Sequence, residues 1–520
     1  MNFLIYSLYK GDKMKIGFLF GAGAEVGYGL PTGGKFALDI FRHDSTASKE
    51  MFKGIRDSIN KNTKYAATWL PDDYVNKNIS SFGRTVFEAI IKDTIEHNRD
   101  KIIQKLNNFD EIAESEVLSL KNTTGKSVTD AIERKLGKSV DNSNMKHTVS
   151  FINAFEKGNK LFENNYFSAL LEIYKQKDVL SIDKRTELGK IITAILQLQI
   201  GALSEDLTRK INDSLFSKKD DEIDIFDDLG EIIQLNYQAT GLSGLEYLLE
   251  KRKADANDDE GIILNFSQCI IESIYSSVLD YKSLIDSNWH YLYCPKYEWA
   301  KFCKISIFLM TVREYIVSQY KDINLVEAKG YYHDLRDALN KKQFDISVIA
   351  TTNYNRLISD TIQKYIVYMN GSTEKWYDPY LNKISSKEKL NEVENHFIVP
   401  LMFTQSGTKP MTSIDMSIEY VHTYNEWKDS DAICVVGFGF NADDEHINGI
   451  LRTLIDEDDK ELFLVSLKGM QDDIALQKEI ADKLKVKNRQ NIKIIKVDKE
   501  RTCNDIKWID ILCNELNKKN

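Results

Sequence analysis

The segment Lys15-Ile-Gly-Phe-Leu-Phe-Gly-Ala-Gly-Ala-Glu-Val-Gly-Tyr-Gly-Leu-Pro-Thr-Gly-Gly-Lys-Phe36 runs an apolar strand straight into a turn of small residues. Glycine lets a backbone turn sharply and lets a phosphate or ribose approach the main chain, while a following helix offers free N–H groups and a favourable dipole. The turn is not a full G-x-G-x-x-G fingerprint, because Val26 stands in the place of the third glycine and Gly27 comes one position late. It is not a G-x-x-x-x-G-K-[ST] loop either, despite Gly33-Gly34-Lys35. The plain alternative is a glycine turn that joins the first strand of an α/β sheet to its helix.

At 520 residues the chain has room for two to four domains and a large buried core. Hydrophobic content of 42% and charge of 28% are those of an ordinary soluble protein and argue against long disorder. No run of eighteen apolar residues occurs, so no membrane span is expected. Met1–Lys10 is apolar but short, with no basic n-region and no small-residue cleavage site, so it is not read as a secretory signal. Met14 directly precedes the first strand, which leaves residues 1–13 readable as an extension or as an alternative-start artefact.

A net charge of -10 argues against broad, sequence-independent nucleic-acid binding, which depends on neutralising many phosphates. The six cysteines, at 269, 294, 303, 434, 503 and 513, form no C-x-x-C pair and no zinc spacing. They read as reduced, mostly buried thiols of a cytoplasmic protein. Eight scattered histidines include no H-E-x-x-H helix, so a metal-centred mechanism has little support.

After the glycine turn, Lys35 to Arg42 continues as an amphipathic helix, but no second parallel strand comes next. From about 50 to 340 the apolar residues fall at helical spacing, as in Phe87–Ile95, Ile191–Ile200 and Phe302–Ile316. Pro71 and Pro295 are the only prolines there, which suits helices. The charge-dense stretches Lys218–Asp228 and Lys251–Gly261 read as exposed loops, and Gly158-Asn159 as an ordinary turn. The α/β pattern resumes at the strand Asp345–Tyr354, followed by a helix over Asn355–Tyr365 and short strands at Ile366–Met369 and Phe397–Phe403. A helix at Ser413–Trp427, a strand at Ala432–Gly437 and a helix at Asp444–Ile455 come next. Strands at Glu461–Ser466 and Ile492–Val497 and a helix over Asn504–Leu516 complete the set. Near-continuous apolar strands alternating with helices predict a parallel sheet covered on both faces.

Such a sheet binds ligands beyond the carboxyl ends of its strands. Three strand ends here carry unusual polar or glycine-rich sequence: Gly21–Gly29, Thr351–Asn355 and Gly437–Asp444. Their convergence on one crevice is the main expectation. Thr404-Gln405-Ser406-Gly407, after the Phe397 strand, is either a further contributor of amide and hydroxyl groups or an ordinary loop exit.

These three segments resemble the sirtuin family, specifically the bacterial sirtuin-like proteins of anti-phage defence. The matching residues are Gly21-Ala-Gly-Ala-Glu25 with Gly29-Leu-Pro31, Thr351-Thr-Asn-Tyr-Asn-Arg-Leu-Ile358, and Gly437-Phe-Gly-Phe-Asn-Ala-Asp-Asp-Glu-His446. The resemblance covers roughly the first 45 and the last 180 residues. It implies a Rossmann-like parallel sheet (sirtuin-like α/β) over 15–50 and 340–520, while the helical spacing of 51–339, which matches no named family, reads as a large all-helical insertion that regulates or oligomerises. It further implies NAD+ as substrate, bound by Gly21, Ala22, Gly23, Ala24, Glu25, Pro31, Thr352, Gly437, Phe438, Asn441 and Asp443, with no cofactor held permanently. Asn353 is expected beside the nicotinamide ribose, where cleavage builds positive charge and calls for neutral oxygens and a positioned water. Its structural alternative is an Asx-type cap on the following helix.

The family's second catalytic position is a histidine before glycine. Here the match is Tyr368-Met-Asn370-Gly371-Ser372, so Asn370 stands in its place. That disfavours deacylation, which needs a base, and leaves simple hydrolysis if another group orients the water. Asp378, His396 and His446 are the neighbouring candidates, each with a structural alternative. The absence of paired cysteines means no zinc ribbon, which also points away from deacylation.

The leading expectation is an NAD+ hydrolase that releases nicotinamide and ADP-ribose and halts an infected cell by NAD+ depletion. Its helical insertion would gate the site through homo-oligomers or a companion defence subunit that senses infection. The alternative is a catalytically impaired subunit that senses NAD or ADP-ribose. A third reading, a Rossmann-type oxidoreductase, lacks the full glycine fingerprint and a short first βαβ unit with an acidic ribose ligand.

Overall fold

A computed structural model describes residues 14–31, 33–144, 160–203, 257–279, 282–385, 395–402, 413–469 and 472–518, with 222–223, 235–236 and 249. The chain forms two units, one of Met1–Thr32, Asp44–Ser81 and Leu284–Asn520, the other of Gly33–His43 and Phe82–Ser283. Residues 1–13, the Gly158-Asn159 turn, most of the charged stretches 218–228 and 251–261, and residues 404–407 lie outside the described residues.

In chain order the strands of the first unit are β1 (Lys15–Phe20), β2 (Asp345–Thr351), β3 (Ile366–Tyr368), β4 (Gly371–Asp378), β5 (Lys383–Ser385), β6 (Val399–Met402), β7 (Ala432–Val436), β8 (Glu461–Leu467), β9 (Ile492–Val497), β10 (Thr502–Cys503) and β11 (Ile506–Lys507). Six of them form one parallel sheet in the order β9-β8-β7-β1-β2-β3. From β1 the chain steps outward to β2 and β3, then returns to the other side of β1 and steps outward again through β7, β8 and β9. Numbered among themselves, the six strands lie in the order 3-2-1-4-5-6, whose reversal beside β1 is a topological switch point.

Successive strand residues face opposite sides of the sheet. Phe18, Phe20, Cys434 and Val436 join one buried layer with the helices Tyr331–Asn340, Leu357–Ile362 and Trp508–Asn517. Leu19, Ala350, Ile433 and Val435 join the other with the helices Ile414–Lys428, Glu445–Asp456 and Asp473–Leu484. Gly17 leaves room for Trp427, because a β-carbon there would sit 2.2 Å from the indole Cδ1.

The expected strands Ala432–Gly437, Glu461–Ser466 and Ile492–Val497 match β7, β8 and β9 closely. The apolar run Phe397–Phe403 instead yields β6, which pairs antiparallel with β4 in a separate β5-β4-β6 sheet. Gly371 turns the chain out of the parallel sheet at φ +83, with a β-carbon position only 2.1 Å from the Leu401 carbonyl oxygen. The helix after β2 is shorter than expected. Asn355 Oδ1 accepts the Leu357 N–H at 2.9 Å at its start, and Gln363 ends it at φ 55. The last helix begins at Trp508 rather than Asn504, because Asn504 and Asp505, at φ 51 and 64, form the tight turn of the β10–β11 hairpin.

Segments 51–81 and 284–339, grouped with the insertion by helical spacing, belong to the sheet unit. Phe52 of the helix Thr46–Ser58 stacks on Phe397 with centroids 4.7 Å apart and also meets Phe302 and Trp299. Conversely, the helix Gly33–Arg42 belongs to the helical unit, where Phe41 stacks on Phe87 and Arg42 bonds Glu272 at 2.6 Å.

The helical unit is organised around the helix Asp259–Ser276, whose Ile263, Phe266, Ile270, Ile271, Ile274 and Tyr275 are fully buried. A helix apolar on all sides needs neighbours on all sides. Its acidic first turn is tied down by Lys184 on Asp258, Arg134 on Asp259 and Lys135 on Glu260, charges that also suit the positive end of the helix dipole. Among the described residues no helix is long and apolar enough to cross a membrane.

Candidate functional site

Phe20 is level with Thr351 on one side and with Val436 on the other, so three chain segments leave the sheet at one carboxyl edge. Gly21 N–H donates to Val436 O at 2.9 Å, Gly23 N–H to Gly437 O at 2.9 Å, and Thr352 N–H to Phe20 O at 3.0 Å. A β-carbon on Gly21 would lie 2.5 Å from Gly437 O, and one on Gly23 would lie 2.8 Å from Gly437 Cα. At Gly437, with φ +67, a β-carbon would lie 2.1 Å from Ala24 N. These glycines interlock the first and third turns by close backbone approach.

Directly after Gly21 the chain makes a 3-10 turn, Ala22–Tyr28, which ends at Gly29 with φ 82. The exit from β1 is therefore this turn and not the helix beginning at Gly33. Ala22 and Gly23 are exposed, Ala24 and Glu25 are buried, and Pro31 is half-buried beyond the turn. The N–H groups of Gly23 and Ala24 are already donated to Gly437 O and Gly21 O, so contact of these residues with a ligand would not use those two amides.

Asn353 is buried, and its side-chain Nδ2 donates to Gly21 O and to Tyr332 Oη, both at 3.1 Å. Asn353 therefore makes no bond to the start of the following helix, whose first N–H, of Leu357, is accepted by Asn355 Oδ1. Its Oδ1 accepts no hydrogen bond from the described residues. Tyr332 Oη donates to Glu25 Oε1 at 2.9 Å, and Asn355 Nδ2 donates to Glu25 Oε2 at 2.6 Å. Burial raises the Glu25 carboxyl from 4.5 to about 7 despite these donors. Tyr28 secures the same group: its Oη accepts the Tyr332 N–H at 3.1 Å, and its ring stacks on Tyr332.

Asn370 comes directly after β3 and lies beside the end of β2, where Met369 N–H donates to Thr351 O at 2.8 Å and Thr373 N–H to Tyr354 O at 2.9 Å. Its Oδ1 is 3.2 Å from His446 Nε2. An amide oxygen only accepts, so Nε2 carries the hydrogen and His446 does not act as a base through that nitrogen. His446 belongs to the helix Glu445–Asp456, which comes after the third turn, and its ring meets Tyr420 edge-on. Within that turn Phe438 is buried against Phe440, Asn441 is exposed with its carbonyl taken by Asn448 Nδ2 at 2.8 Å, and Asp443 is half-buried. The segments carrying Gly21–Glu25, Thr352–Asn353, Asn370 and Gly437–His446 are thus joined by direct bonds.

Asp378 and His396 form a different cluster. Their side chains meet at 2.7 Å, Asp378 also accepts the N–H groups of Tyr380 and Leu381, and the His396 ring packs 4.1 Å from Tyr65. Both are buried, and these contacts make them the pin of the β4 end.

Sequence reasoning assigns no role to Tyr332, Tyr28 or Asn355. Tyr332 lies in a segment with ordinary helical spacing, about 300 residues from the turn it supports, and carries no local motif. A groove of about 1140 Å³ opens at the opposite edge of the sheet, by Lys15, Asp345 and Asp431. Open parallel sheets take ligands at the carboxyl edge, so the joined turns remain the candidate. Among the described residues no group of three His, Cys, Asp or Glu side chains could hold a metal. No protein-family model matches the chain, and no curated protein matches it significantly.

Proposed function

We propose that the chain is an NAD+ glycohydrolase of sirtuin-like, Rossmann-type architecture, releasing nicotinamide and ADP-ribose. The observation that carries this reading is the meeting, at the switch point of the sheet, of a glycine turn with an asparagine whose amide nitrogen is held and whose carbonyl oxygen is free. Breaking the nicotinamide–ribose bond leaves positive charge on the sugar, and a preorganised neutral oxygen such as Asn353 Oδ1 stabilises it without quenching it. Asn370, steadied by His446, orients the attacking water. Deacylation, which needs a base at that position, is not part of the proposal.

The resemblance of the motifs to anti-phage defence proteins supports a cytoplasmic role in which NAD+ depletion aborts infection. Uncontrolled turnover would kill the host, so activity is held back until a companion subunit or a change in homo-oligomer state releases it. The test is to add NAD+ to the purified full chain, alone and with the proteins encoded beside it, and to quantify nicotinamide and ADP-ribose. Release of both in equal amounts supports the reading, and bound but intact NAD+ in every combination sinks it.

The Asn370–His446 bond favours a second reading, because it leaves the site without a base at that nitrogen. In that case the chain senses NAD or ADP-ribose for a defence complex. The substitution Asn370→His separates the two: hydrolysis gained from an inactive parent marks the sensor, and loss of existing hydrolysis marks the enzyme.

A further inference from the structure

Glu25 is a buried carboxylate met by neutral donors. Tyr332 Oη and Asn355 Nδ2 each donate to one of its oxygens, and among the described residues no lysine or arginine forms an ion pair with it. A buried acid without a counter-ion is costly, so its presence beside the site calls for a reason. Its bonds continue further: Tyr332 Oη, having donated its hydrogen to Glu25, accepts one from Asn353 Nδ2. With Gly21 O taking the second amide hydrogen, the Asn353 side chain has one orientation that satisfies both.

We infer that Glu25 is a positioning residue, which through Tyr332 holds Asn353 with its carbonyl oxygen free to face the ribose of a nicotinamide nucleotide. The inference rests on the NAD+-cleaving reading. It assigns Glu25 a role behind Asn353, and not one against the pyrophosphate.

Two donors pointing at two oxygens is the bonding pattern of an ionised carboxylate. A proton on either oxygen sets an O–H donor against the Tyr332 O–H or the Asn355 N–H that faces it, and so weakens that bond. Because burial brings the Glu25 carboxyl to about 7, the relay changes state around neutral pH. The groups facing Glu25 are Tyr332 from the helix Tyr331–Asn340, Tyr368 from β3, and the neutral amides of Asn353 and Asn355, with Tyr28 from its own turn stacked behind Tyr332. All three tyrosines are pushed up by burial and stay neutral through this range. Charges further out act on these tyrosines rather than on Glu25: Arg501 and Asp334 on Tyr28, and Asp360 and Arg356 on Tyr368. His333 is bonded to Tyr28 Oη and Leu325 O.

The experiment measures kcat, KM and calorimetric NAD+ affinity from pH 5.5 to 9 for the full chain and for Glu25→Gln and Tyr332→Phe, with crystal structures of both variants. The wild-type kcat is expected to rise through about pH 7, and Glu25→Gln to lose that rise. Both variants should lower kcat on the order of 100-fold, as a misplaced reacting group does, while NAD+ affinity changes less than about threefold. In the crystals the Asn353 side chain should leave its single orientation. A Glu25→Gln enzyme with unchanged kcat and pH profile overturns the inference, as does a loss carried by affinity alone. If the wild type cleaves no NAD+ even with the proteins encoded beside it, the glycohydrolase reading falls. The crystals then decide the relay: an Asn353 unmoved in Tyr332→Phe rejects it, and a turned amide supports it.

Discussion

Gly437 and Ala24 approach so closely that a β-carbon on Gly437 would lie 2.1 Å from the Ala24 backbone nitrogen. Residues more than four hundred positions apart are therefore held as one surface, and the site depends on glycine for packing as much as for access by a ligand. Gly437→Ala combines a left-handed backbone with overpacking and should destabilise the sheet unit by about 2–4 kcal/mol. Gly27, whose β-carbon position meets nothing within 4 Å, is the control, and Gly27→Ala should stay within about 0.5 kcal/mol. Denaturant unfolding tracked by tryptophan fluorescence measures both.

Glu25 makes stability depend on pH in a direction set by its burial. Its folded-state pKa of about 7 lies above the unfolded value of 4.5, so the folded protein holds the extra proton. The stabilisation from this group is fully present below pH 4.5 and is lost as pH rises through 7, a swing of about 3 kcal/mol. Glu25→Gln removes the swing. The stability difference between variant and wild type should therefore move in favour of the variant from pH 4.5 to 8, as read by paired thermal melts.

His446 steadies Asn370 through its Nε2. His446→Ala should lower NAD+ turnover about 10-fold or more by releasing the amide, with an unchanged melting temperature within a few degrees. Steady-state kinetics at saturating NAD+, with a melt of the same preparation, check it.

For Asp378 and His396 the expectation is the reverse. Removing His396 leaves a fully buried carboxylate supported by two backbone amides, and His396→Ala should cost about 3 kcal/mol of stability. Turnover per folded molecule should be unchanged. A variant as stable as the wild type but inactive would make this pair catalytic.

Much of the sheet is legible in the sequence because buried parallel strands are written as apolar runs: β1, β2, β7, β8 and β9 all announce themselves in this way. The shared edge is legible too, since glycine and asparagine gather where strands end. Less legible is everything that depends on pairing. β6 is as apolar as its parallel counterparts, and only the turn at Gly371 sends that part of the chain into an antiparallel sheet. Helical spacing likewise does not say which core a helix joins, so spacing alone groups residues 51–58 with the insertion although Phe52 stacks on Phe397. Within the site, Asn353 and Asn370 stand out by type. The support of Asn353 by Tyr332 and Glu25 does not, because the Tyr332–Glu25 bond spans 307 residues and the Asn353–Tyr332 bond 21, and neither leaves a local pattern.

The most direct measurement is a crystal structure of the full chain with NAD+, trapped by Asn353→Ala. The predicted result is the nicotinamide ribose beside residues 353 and 370, between the Gly21 and Gly437 turns. NAD+ seated elsewhere, such as the groove by Lys15 and Asp345, or no binding at millimolar NAD+ by either the variant or the wild type, would contradict it.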